Sequence, residues 1–130
     1  MTIAFACICI AFLVSYLPKI PTAIAMYRMD KRYDNNYPRD QQSRLTGFGK
    51  RAYSAHLNSF EIFPGFAAAV ILSHISLGSS DTLDNLSIAF VLSRLVYIGL
   101  YLADLATLRS LVWTIGFGIV IAIFLLPIFG

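Results

Sequence analysis

Two groups of side chains in this chain have types and spacings that suit chemistry. The first lies in Arg51-Ala-Tyr-Ser-Ala-His-Leu-Asn-Ser-Phe-Glu-Ile-Phe-Pro64, where polar and ionisable residues interrupt an otherwise apolar run. On a helix turning about 100° per residue with Asn58 at zero, Glu61 falls at about −60°, Ser54 at about −40° and Arg51 at about +20°. These residues share one stripe, whereas His56, at about 160°, serves a different environment. The second group is Arg94, Tyr97, Tyr101 and Asp104, spaced i, i+3, i+7 and i+10 and so again on one stripe, followed by Arg109-Ser110. Glu61 and Arg94 lie at similar depth in their segments, and an ion pair between them is the natural way to neutralise both. Arg109 stands where an anionic group in a cleft would be met, or is an ordinary basic anchor beside a membrane.

The elements that position these groups follow from composition. Of 130 residues, 58% are hydrophobic and 13% charged, and the mean hydropathy is +0.71. Such a chain is an integral membrane protein. A span needs about 20 apolar residues, and four segments qualify, predicted as helices over approximately 3–26, 45–76, 83–106 and 109–129. The expected fold class is therefore all-α, a four-helix membrane bundle in one domain over 1–130. A carboxylate and a carboxamide facing lipid would cost several kcal/mol. The Asn58–Glu61 stripe must therefore face other helices, another subunit or a polar cavity.

The net charge of +3 does not point to nucleic acid, because the basic residues gather in one connector beside apolar helices. Residues 28–51 hold Arg28, Lys31, Arg32, Arg39, Arg44, Lys50 and Arg51, while 76–82 hold no Lys or Arg. The positive-inside rule makes the first and third connectors cytoplasmic and puts both termini outside. The first helix has no basic region ahead of it and reads as a retained span. Pro18 and Pro21 predict a kink near its inner end, opening a cleft or improving packing, and Lys19 can snorkel to the headgroups. The mixed charges and tyrosines of 27–44 suit an anionic ligand or anionic lipid. Cys7 and Cys9 point to nearly opposite faces and form neither a disulfide nor a metal site. No metal-ligating constellation is present, and His74 reads as a headgroup contact.

Asn58-Ser-Phe-Glu61 before Ile-Phe-Pro64, with His56 two residues ahead, resembles the second-helix signature of the MAPEG family, the membrane-associated proteins in eicosanoid and glutathione metabolism. Arg94-Leu-Val-Tyr97, then Tyr101 and Arg109-Ser110, is similar to the family's third-helix and catalytic-arginine pattern. The resemblance covers almost the whole chain. It implies a homotrimer with glutathione as co-substrate between adjacent subunits near the cytoplasmic face. Asn58, Glu61, Arg51, Arg94, Tyr97 and Tyr101 would then bind glutathione, Arg109 would favour its thiolate, and Ser110 would add a hydrogen bond to the sulfur. The implied activity is a membrane glutathione transferase or peroxidase acting on hydrophobic electrophiles or lipid hydroperoxides, in a setting such as a bacterial inner membrane. The family's enzymes have an arginine four residues before the Asn, where this chain has Ser54. A non-catalytic member that binds a membrane protein partner is the alternative. A small four-helix transporter ranks last, since the first helix lacks a carboxylate.

Overall fold

The computed structural model describes all residues 1–130. It is helical throughout: α1 (Ile3–Tyr16), α2 (Lys19–Asp30), α3 (Pro38–Ser43), α4 (Gly47–Leu77), α5 (Asp81–Leu102) and α6 (Ala106–Phe129). Four spans are long and apolar enough to cross a membrane: Ile3–Asp30, Gly47–Leu77, Asp81–Leu102 and Ala106–Phe129. The first is α1 and α2 joined at a break where Pro18, lacking an N–H, cannot continue the ladder. The kink expected from the prolines is therefore present, and Thr22 closes it by donating its hydroxyl to the Pro18 carbonyl at 2.7 Å.

Helix starts follow capping chemistry. Thr2 accepts from the Phe5 amide at the start of α1, and Ser80 from the Leu83 amide at the start of α5. Asp84 fastens the two helices at this terminal face by accepting from the Ala4 amide at 2.9 Å. At the opposite, connector face, Gln41 is fully buried and acts as a staple. The two hydrogens of its Nε2 are shared among the Arg32 carbonyl, the Asp30 carboxylate and, at the longest distance of 3.2 Å, the Met26 carbonyl, while its Oε1 accepts from the Asp34 amide. Asp30 also pairs with Arg44 at 2.6 Å.

The core joins all four spans. Ala4, Ala11 and Ala69 are small enough to let helices approach, and Phe66 of α4 stacks on Phe90 of α5 with ring centroids 3.9 Å apart. Leu13, Ile20, Leu72, Ile75, Val96 and Ile115 point outward and are exposed, as lipid-facing side chains should be. Cys7 is buried among the core residues and Cys9 is exposed.

Several boundaries differ from expectation: the first span runs on to Asp30 rather than 26, and two further shifts bear on the site. α5 stops at Leu102 rather than near 106, and Asp104 adopts φ 61°, a left-handed turn that ends the helix. Asp104 is therefore off the Arg94–Tyr97–Tyr101 stripe. α6 begins at Ala106, so Arg109 lies within its first turn.

Candidate functional site

Arg94 enters the bundle from α5 and is only 3% exposed. Its Nη2 donates to Asn58 Oδ1 at 2.8 Å, and Asn58 Nδ2 faces Glu61 Oε2 at a long 3.4 Å. The direct Glu61–Arg94 ion pair expected from their depth is not formed. Asn58 stands on the inner side of α4 and meets the guanidinium first, whereas Glu61, about 60° further round the helix, is exposed. A guanidinium has donors only, so the carboxamide must turn its oxygen to Arg94 and its NH2 toward Glu61. Arg94 thereby sets which way Asn58 points.

The contacts continue along α5. The Arg94 guanidinium lies 4.1 Å from the Tyr97 ring centroid, Tyr97 meets Tyr101 edge-on at 5.7 Å, and the Arg109 guanidinium lies 4.2 Å from the Tyr101 centroid. Glu61, Asn58, Arg94, Tyr97, Tyr101 and Arg109 thus form one connected ladder across α4, α5 and α6. At its end, Tyr97, Tyr101, Arg109, Ser110, Trp113 and Thr114 enclose a concavity of about 220 Å³. Arg109, Ser110, Trp113 and Thr114 are spaced 0, +1, +4 and +5, a single helix face. That spacing is legible in the sequence, and it would have flagged Trp113 and Thr114 as walls. Arg109 has no carboxylate partner, so an anion placed in this concavity meets an uncompensated positive charge.

The remaining candidate, Arg51, stands apart from this ladder. Its Nη1 lies 3.9 Å from Asp104 Oδ2 at the connector face, and its guanidinium is 5.9 Å from the Phe48 ring centroid. Turning Asp104 out of α5 is what brings it to Arg51. His56 is buried on the opposite side of α4, its Nδ1 at 2.8 Å from the Ser15 carbonyl and its ring edge-on to Tyr16 and Phe60. There Lys19, Arg39, Gln42, Tyr53, His56, Leu57 and Phe60 line a second concavity of about 300 Å³. No periodicity reveals it, because the α1–α2 break and α3 are what bring Lys19 and Arg39 together. His74 is half-buried against the Phe5 ring, centroids 4.5 Å apart.

Four apolar helices of membrane length, with a buried arginine and a carboxamide on their shared faces, make this a multi-pass integral membrane protein of the four-helix bundle class. Its sequence matches the family model of the MAPEG family over residues 3–129, and the chain belongs to that family. The family includes glutathione transferases and peroxidases among others. No curated protein and no solved structure matches the chain.

Proposed function

We propose that the protein is a glutathione-dependent membrane transferase or peroxidase. The observation that carries this reading is Arg109, a guanidinium without a carboxylate, laid on Tyr101 at the mouth of a concavity that also holds Ser110. A positive charge beside a thiol favours the thiolate, which is the reactive nucleophile. Ser110, one residue on, offers a hydroxyl to the sulfur. The thiolate would form a carbon–sulfur bond with an electrophile entering from the bilayer as the leaving group departs. In the peroxidase form it would attack the terminal oxygen of a lipid hydroperoxide, breaking the O–O bond to release the alcohol and leave glutathione sulfenic acid, which a second glutathione converts to the disulfide and water.

About 220 Å³ holds the thiol end of a tripeptide but not the whole molecule, since ligand sites of drug size span about 300–1,000 Å³. The rest of glutathione would run along the ladder, with Tyr97 and Tyr101 beside its backbone and Asn58 and Glu61 taking its polar groups. Glu61 is exposed on the single chain and sits near the middle of α4, where an uncovered carboxylate in lipid is costly. A neighbouring subunit covering this face resolves the cost, and a homotrimer is the proposed assembly. A closed ring uses two different faces of each chain, and the basic concavity around Lys19, Arg39 and His56 supplies a second face distinct from that of Glu61. The concentration of basic residues in 28–51 supports a cytoplasmic placement of this end of the bundle.

The test is glutathione binding to detergent-purified protein, by calorimetry and by thiolate absorbance near neutral pH, with Arg109→Ala as the comparison. Binding with a thiolate signal that the variant loses supports the proposal. Absence of both in the wild type at millimolar glutathione overturns it and favours a non-catalytic, partner-binding member, consistent with Ser54 at the place of the family's usual arginine.

A further inference from the structure

The largest concavity lies away from the ladder. Pro21, Ile24, Ala25, Arg28 and Met29 of α2, with Leu45, Thr46 and the α4 residues Phe48 and Gly49, bound a groove of about 670 Å³ at the connector face. Its α2 wall is one helix stripe, since positions 21, 24, 25, 28 and 29 are spaced 0, +3, +4, +7 and +8. The floor is where α2 and α4 touch: a Cβ on Gly49 would fall 2.7 Å from that of Ala25. The walls are apolar toward the spans and polar at the connector end, where Arg28 and Thr46 stand.

Charge complementarity selects the occupant. Among the seven basic residues of 28–51, Arg44 and Arg51 are in ion pairs with Asp30, Asp40 and Asp104, whereas Arg28 has no such partner. The Thr46 side chain makes no capping hydrogen bond to α4, so its hydroxyl is also free. The groove therefore presents an unpaired cation and a free hydroxyl at the level of a membrane surface, with an apolar cradle continuing into the hydrocarbon. The matching shape and chemistry are those of an anionic amphiphile whose charge is next to its chains.

We propose that this groove is a binding site for an anionic phospholipid of the membrane the protein spans, with the phosphate against Arg28 and Thr46 and the glycerol and first acyl carbons on Ile24, Leu45 and Phe48. The site is separate from the Arg109 concavity and does not depend on glutathione chemistry.

Native mass spectrometry of the delipidated, detergent-purified protein tests this, with phosphatidylglycerol and phosphatidylcholine of identical chains as probes. Wild type should retain phosphatidylglycerol preferentially, and glycerol 3-phosphate, which lacks the chains, should not displace it. Arg28→Gln should lower the preference about fivefold, the scale expected for one basic residue at a charged membrane surface. Arg32→Gln removes an equal, exposed charge outside the groove and should leave the preference nearly unchanged. A wild type without preference, equal losses in both variants, or displacement by glycerol 3-phosphate would overturn the proposal. The first means no anionic site, the second a diffuse charge effect, and the third a free-phosphate site.

Discussion

Replacing Arg94 by Met separates its place in the ladder from its contribution to stability. Met keeps much of the volume and removes the charge. What is lost is the bond to Asn58, about 1.5–3 kcal/mol for a charged donor or nearer about 0.6 kcal/mol between membrane helices, and a desolvated cation–π contact of about 2 kcal/mol. What is regained is the cost of Nε and Nη1, both buried without an acceptor, at about 1–3 kcal/mol each. The opposing sums overlap, so Arg94→Met should lie within about 2 kcal/mol of wild type in detergent unfolding, whereas Arg94→Lys, a buried point charge without the planar fork, should be less stable than either. Glutathione binding by folded Arg94→Met should nevertheless weaken about tenfold, or about 1.4 kcal/mol, because Asn58 is then free to turn its carboxamide. Unfolding curves and calorimetry on the same preparations decide it. A loss well beyond about 4 kcal/mol would show that the two donors are satisfied and refute the balance, and unchanged binding would refute the orienting role of Arg94.

Other substitutions probe the rest of the structure. Arg109→Ala should remove the thiolate absorbance of bound glutathione near neutral pH while costing stability only about 0.5–1 kcal/mol, the scale of its partly exposed cation–π contact with Tyr101, since Arg109 holds no ion pair. Gly49→Ala must push α2 from α4, because its Cβ would lie 2.7 Å from that of Ala25, and should lower stability by about 1–3 kcal/mol in thermal unfolding. Phe66→Ala removes one ring of the buried stack with Phe90 and should cost about 3–5 kcal/mol by the same measurement. Gln41→Leu strands the Arg32 carbonyl and the Asp34 amide. Hydrogen exchange in 30–44 should accelerate, with protection in α4 to α6 retained.

Much of this protein is written in its local sequence. Long apolar runs must become spans wherever lipid is the solvent, because no other arrangement satisfies the backbone except a closed barrel. Pro18 must break a helix, and Ser80 is a natural cap. The spacings of Arg94, Tyr97 and Tyr101, and of Asn58 and Glu61, place each group on one stripe because helical periodicity is fixed. Contacts between elements are another matter. That Asn58 rather than Glu61 takes the Arg94 guanidinium depends on the rotation of α4 against α5, which the packing of Phe66 on Phe90 and the small core residues helps set. The early end of α5 at Asp104, which leaves the helix to meet Arg51, and the α2–α4 groove are likewise products of tertiary structure. Periodicity specifies which side of each helix is polar, and only the assembled bundle specifies which atoms on those sides meet.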